Sequence, residues 1–200
     1  MPTIAESIAA GGRVVGHNRQ GEPVEIAEYD PAWPMRFVEM RGQLAAALGD
    51  LAIRIDHVGS TAVAGLAAKP VIDIQVSVPD VEDEYAFREA VEGLGFELRW
   101  TEPGHRYFRP PPGMPRLHQI HVCSHGSAWE RVHLLFRDYL RAHPDVAGRY
   151  VALKHEVAAQ HPRDRVAYND AKAPFIDATL RDAEEWAATS TWSPDAKASD

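Results

Sequence analysis

Apolar residues recur along this chain first at a helical period, then at a strand period, then at a helical period again. Over 34–48, Phe37, Met40, Leu44 and Leu48 share one helical face with Arg36, Glu39 and Arg41 elsewhere, and Gly49 supplies a stop. Residues 53–58 and 71–78 read as strands, the second rich in β-branched side chains and closed by Pro79-Asp80. Between them, 61–67 predicts a short helix or helical turn, broken by Lys69-Pro70. A helix over 83–94 ends at Gly93 and Gly95. Strands at 96–100 and 106–109 follow around a Pro-Gly turn, then a loop at 110–113 and a strand at 117–123. From Trp129 onward the pattern predicts helices over 128–142, 144–160 and 166–187, the last with Pro174 inside it. Leu134, Leu135, Tyr139, Leu140, Tyr150, Leu153 and Val157 fall at helical spacing and are expected to be core.

A helix, a β-rich middle and a helical C-terminal third make the expected class α+β, a mixed β-sheet with helices packed on one face. Regular βαβ alternation is absent. A chain of 200 residues buries one substantial core. Residues 1–20 are Gly- and Ala-rich without a sustained apolar period and are expected to form a flexible N-terminal arm. Residues 188–200 have no apolar face and read as a disordered tail, which leaves 21–187 as the domain.

The formal net charge of -8 argues against generic nucleic-acid binding, because a phosphate backbone demands a basic face. A small anionic ligand needs only a local group of donors and is not excluded. No apolar run is long enough to span a membrane, and no basic region precedes an apolar one at the N-terminus. The lone Cys123 cannot form an internal disulfide and is expected to be a small buried hydrophobe. Together these features predict a cytoplasmic protein.

The chemistry concentrates in residues 57–74, HVGSTAVAGLAAKPVIDI. A strand runs into Gly59-Ser60, where glycine lets the backbone approach a ligand closely and Ser60 and Thr61 offer hydroxyls beside free N–H groups. The next strand carries Asp73, whose carboxylate would suit a divalent metal on a phosphate. A plain helix cap is the commoner explanation of a Gly-Ser-Thr run, and Asp73 alone divides evenly between function and structure.

This run resembles the signature of the GrpB-like family, whose members include a domain joined to dephospho-CoA kinase in some bacteria. YDPAW at 29–33, LHQIHV at 117–122, HLLFRDYLRAHP at 133–144 and Tyr168 to Lys172 carry the same resemblance, which covers about residues 22–187. The family in turn resembles the nucleotidyltransferase superfamily. That resemblance implies a nucleotidyltransferase-like fold, a site for a nucleotide or other phosphorylated ligand, and Mg2+ or Mn2+ held by Asp73. Active members of the superfamily carry two carboxylates one residue apart on this strand. Here Gln75 stands at the second position, which puts two-metal transfer in doubt.

His118 and His121 lie on the strand that could supply a third ligand, but their odd separation points them to opposite faces of a regular strand. His121 is favoured for the site, as a metal ligand or a general base. Only a bulge would bring both histidines together. Lys69, Arg106, Arg109 and Lys172 are the candidate phosphate contacts, the two arginines in an expected edge strand. His57 is expected to brace the turn, and His105 and His125 to be solvated. Three functions follow: nucleotidyl or related phosphate transfer on Asp73 and His121, a non-catalytic binding or folding-assistance module, and a metal-dependent hydrolase using Asp73, His118 and His121.

Overall fold

The computed structural model describes residues 23–194 and the backbone of a short strand before them. In chain order the elements are β1 (Arg13–Val14), α1 (Trp33–Leu48), β2 (Arg54–Val58), β3 (Ile72–Val78), α2 (Glu84–Gly93), β4 (Glu97–Glu102), β5 (His105–Arg109), β6 (His118–Ser124), α3 (Ala128–Ala142), α4 (Pro144–Gln160) and α5 (Arg165–Thr189). One mixed sheet has the order β1-β4-β5-β6-β3-β2. Only β3 and β6 run parallel, joined in register from Ile72↔His118 to Val78↔Ser124. The α+β class expected from the sequence is the one observed.

Alternation along β3 and β6 gives the sheet two unlike faces. Ile72, Ile74, Val76 and Val78 line up with Ile120 and Val122, and with Phe108 and Leu98 they pack against Leu44, Leu48, Phe87 and Val91 from α1 and α2. Trp33, at the start of α1, is fully buried in the same cluster and meets Tyr29 edge to face. The opposite face carries Asp73, Gln75 and Ser77 beside Gln119, His121 and Cys123. It is polar because it faces α3 rather than a second apolar layer. Arg137 of α3 lies 3.6 Å from Asp56 of β2, and Trp129 stacks on His105 of β5. Helices therefore cover one face as expected, and the helical third adds a partial cover to the other.

The helical third builds its own core from Leu135, Tyr139, Leu140, Val146, Tyr150 and Ala183. Local signals place its helices. Ser127 caps α3 by accepting a hydrogen bond from Glu130 N at 3.2 Å, while Glu130 Oε1 accepts from Gly126 N just before the cap. Pro144 opens α4, where a missing N–H costs nothing. Asp164 caps α5 by accepting from Val166 N and Ala167 N. Pro174 lies inside α5, which continues through it for 25 residues in all, with only the Asp170 carbonyl deprived of its usual donor.

Both terminal expectations need correction. Residues 13–14 form a strand paired with Thr101 and Trp100 of β4, while the rest of the proposed arm, up to residue 20, lies outside the described residues. At the other end, α5 runs to Thr189, and Trp192 then donates to Asp138 Oδ2 at 3.1 Å while the Pro194 carbonyl accepts from Arg54. Residues 195–200 lie outside the described residues. The expected edge strand with Arg106 and Arg109 is instead interior, with β4 on one side and β6 on the other. The helical turn expected over 61–67 is a single tight turn, Ser60–Ala62.

Two substitutions test this description by urea denaturation. Ile74→Ala empties a fully buried position between β2 and β6 and is expected to cost about 2–5 kcal/mol. Ser127→Ala removes the α3 cap and is expected to cost about 1 kcal/mol.

Candidate functional site

The turn after β2 and the strand after it meet at one point. Gly59 has φ 70°, and a Cβ placed there would sit 2.5 Å from Asp73 Oδ2. Glycine is needed at 59 both for its backbone conformation and because the Asp73 carboxylate occupies the space a side chain would fill. Thr61 is committed to holding this turn. Its hydroxyl donates to the Val71 carbonyl at 3.2 Å, so it accepts from His57 Nε2–H at 2.9 Å. Burial pushes His57 down to about 4, which keeps it neutral for this role. His57 therefore braces the turn, as expected.

Around this point lies a cavity of about 240 Å3. Gly59, Ser60, Thr61, Lys69, Asp73, His121 and Lys172 from the sequence-based candidates all line it. The lining also includes Gln119, His133, Tyr150, Lys154, Tyr168 and Asn169, none of which the sequence reading selected for a site. Three candidates are corrected. Arg106 lies on the other face, where Glu82 accepts from it at 2.6 Å and Glu84 at 2.9 Å. Arg109 is buried near the opposite end of β5 and does not line the cavity. His118 leaves through the face of Ile72, next to Arg36 and Glu39 of α1, because β6 is regular and no bulge turns it round.

The three helices of the C-terminal third contribute by a common device. Each places an aromatic ring and a basic side chain one turn apart, so that both lie on the same face. In α3, Trp129 and His133 stack with centroids 3.6 Å apart. In α4, Lys154 Nζ stands 4.7 Å over the Tyr150 ring and donates to the Ala67 carbonyl. In α5, Lys172 Nζ stands 4.2 Å over Tyr168, whose ring also meets Lys69 at 5.0 Å. The missed lysine had a sequence signal: Lys154 interrupts the apolar face formed by Tyr150, Leu153 and Val157. His133 likewise falls one turn after a tryptophan in a helix predicted as core.

The electrostatics are uneven. Three ammonium groups, Lys69, Lys154 and Lys172, line the cavity with one carboxylate, Asp73. Burial, with Lys172 beside it, pushes Lys154 down to about 7, and burial pushes Lys172 down to about 8 despite Asp73. Lys69 falls well below its ordinary value for the same reason, with repulsion from Lys172, Arg165 and Arg116 added. Burial favours the neutral form of Asp73, yet His121, Lys69 and Arg116 outweigh it and hold Asp73 below the usual carboxylate value. His121 Nε2 lies 3.6 Å from Asp73 Oδ1. His105, expected in solvent, is 5% exposed and bonded to His121, since β5 and β6 are neighbours on this face. Cys123 is fully buried, as expected, and pushed up to about 12 by that burial. Among the described residues no three His, Cys, Asp or Glu side chains come together as a metal would require, and no helix is long and apolar enough to cross a membrane.

Comparison with known proteins places this geometry in a family. The crystal structure of the conserved protein GrpB from Enterococcus faecalis matches with a TM-score of 0.73 and 34% identity, over 81% of this chain and 99% of that one. The UPF0157 protein YqkA of Bacillus subtilis is 37% identical over 165 residues, 82% of this chain and 48% of YqkA. A dephospho-CoA kinase of Mycolicibacterium paratuberculosis is 30% identical over 200 aligned residues, 86% of this chain and 49% of the kinase. The chain thus spans about half the length of these two relatives. A family model described as GrpB protein matches residues 23–182, most of the chain, and the chain belongs to that family.

Proposed function

We propose that the cavity binds the phosphate group of a small phosphorylated ligand, with nucleotides and coenzyme A precursors as the first candidates. The observation that carries the proposal is the excess of buried amines over carboxylates in one cavity. A cation withdrawn from water is stable only with an anion nearby. Among the described residues the lining supplies one such anion, and burial pushes the lysines toward neutrality. A phosphate among them would restore their charge. Its oxygens would accept from the ammonium groups and from the Ser60 hydroxyl, beside Gly59, where no side chain intervenes.

Mg2+ or Mn2+ fits this donor set poorly. Among the described residues Asp73 is the sole lining carboxylate, Gln75 replaces a second, His118 is on the other face, and the amines already supply positive charge. The proposal therefore uses lysines to neutralise the ligand and involves no metal in binding. The likeness of a dephospho-CoA kinase over part of its length supports testing coenzyme A precursors, without carrying that enzyme's activity over.

Two measurements test this reading. Calorimetric titration with pyrophosphate and with dephospho-coenzyme A is expected to show binding that weakens about tenfold or more in Lys172→Gln and in Lys154→Met. Equal affinity in both variants would contradict the assignment. Sulfate, whose own charge is constant across the range, isolates the amines. An anion raises the pKa of the amines it touches, so binding takes up protons. Affinity is then full below pH 7 and falls as pH rises through about 7 and 8, where Lys154 and Lys172 lose theirs. The expected fall approaches tenfold per pH unit for each amine. A flat profile, with no proton uptake on changing buffer, would remove the lysines from the site.

A further inference from the structure

One side chain in the cavity wall is a donor whose direction is fixed from behind. Gln119 of β6 is 8% exposed and pairs with Asp73 in the parallel register of β3 and β6. Its Oε1 accepts from Arg116 Nη2 at 2.9 Å and from the Tyr107 hydroxyl. Arg116 Nη2 also donates to the oxygen of that hydroxyl. Arg116 lies in the loop before β6 and Tyr107 on β5, and neither lines the cavity, whereas Gln119 does.

The orientation of the amide follows from these partners. A guanidinium only donates, so the Gln119 atom that faces it is the oxygen and not the nitrogen. Burial pushes the Tyr107 phenol up, so its hydroxyl keeps its hydrogen and donates as well. One Nη2 hydrogen of Arg116 goes to Tyr107 and the other to Gln119. Nε2 is left on the cavity side, and among the described residues it meets no acceptor. The carboxylate beside it, Asp73, is already faced by His121 at 3.6 Å. A buried donor without an acceptor costs stability, and an oxygen from outside the chain would satisfy this one.

We infer that Gln119 is a ligand-binding residue, held by Arg116 and Tyr107 with its Nε2 hydrogens toward the ligand, and that the group bound is a doubly charged phosphate, a monoester or a diphosphate, rather than a phosphodiester. This rests on the phosphate-binding reading and narrows the class of its ligand. Three lysines against one carboxylate leave two positive charges uncompensated in the cavity when all are ionised. A phosphate monoester brings about two negative charges and three acceptor oxygens. A phosphodiester has one fewer of each, too few for the three ammonium groups, the Ser60 hydroxyl and the Gln119 amide together. The amide also imposes a condition that a lysine on a flexible stem does not. It is neutral and fixed, so the oxygen opposite it must carry no hydrogen. Arg116 stands behind it, and its charge reaches the cavity, where it helps hold Asp73 below the usual carboxylate value.

Calorimetric titration of the full chain at neutral pH with methyl phosphate and with dimethyl phosphate tests the class of ligand. Methyl phosphate is expected to bind at least about tenfold more tightly. Gln119→Met removes the donor, and Gln119→Glu keeps an oxygen for Arg116 and Tyr107 but turns an acceptor toward the ligand. Affinity for methyl phosphate is expected to fall in the order wild type, Gln119→Met, Gln119→Glu, with the urea midpoint of Gln119→Glu no lower than that of wild type. In 1H–15N spectra of wild type, the side-chain amide of Gln119, assigned by triple resonance, is expected to shift as methyl phosphate binds. Arg116→Lys, which retains a donor, is expected to preserve that shift, and Arg116→Met combined with Tyr107→Phe to lose it. Undiminished affinity in Gln119→Glu, or an amide that does not respond in saturated wild type, overturns the role of Gln119 and leaves the lysines in place. A shift that survives loss of both donors overturns the positioning by Arg116 and Tyr107. Equal affinity for the two probes overturns the doubly charged class. Binding of neither probe overturns the phosphate reading and this inference with it.

Discussion

A carboxylate set between Ile72 and Ile74 in a buried strand must stay ionised or lose its partners, and the site is arranged around that constraint. Asp73 is pressed against the Cα of Gly59, so the turn before it admits no side chain. His121 faces it from the parallel neighbour β6, and Lys69 approaches from the loop that leads into β3. Without these partners the burial of Asp73 would favour its neutral form. With them, the carboxylate is held charged and the turn is fixed by His57 and Thr61 at its base.

The helical third answers a different requirement. Two helices and the loop before β3 bring amines into a region already short of anions, and each amine rests on the face of an aromatic ring, which offsets part of the cost of leaving water. Packing alone would place apolar side chains at these positions. Retaining Lys154, 1% exposed and with a backbone carbonyl as its acceptor, sacrifices stability that an apolar residue would provide. Such a sacrifice is typical of a binding site. Gln75 cannot supply charge, and the positive potential comes from side chains that the chain itself provides.

The sheet explains why the imidazoles act together. Antiparallel pairing of β4 with β5 and of β5 with β6 sets Glu102 opposite His105 and Tyr107 opposite His121. The hairpin of β4 and β5 and the more distant β6 thus deliver one row of polar side chains, and Trp129 stacks on its two imidazoles. Because β6 is regular, His118 is turned to the other face and into a different environment.

By itself the sequence determined the elements, the faces and the family. Periodicity placed the helices of the last third and the apolar face of β3, because local burial patterns are written at 3.6 or 2 residues. Parity alone separated His121 from His118, and the run from His57 to Ile74 marked the turn and its aspartate. The tertiary structure decided which distant residues share a cavity. Lys154 and His133 looked like helix positions on a core face, His105 like a turn residue in water, and Arg106 like a free phosphate ligand. Their roles depend on strand order and on the packing of the helical third over the polar face of the sheet. No local pattern encodes either. Arg106 is taken by Glu82 and Glu84, acids more than twenty residues away in sequence that the fold brings to its side. His105 is drawn into the site because β5 lies inside the sheet rather than at its edge.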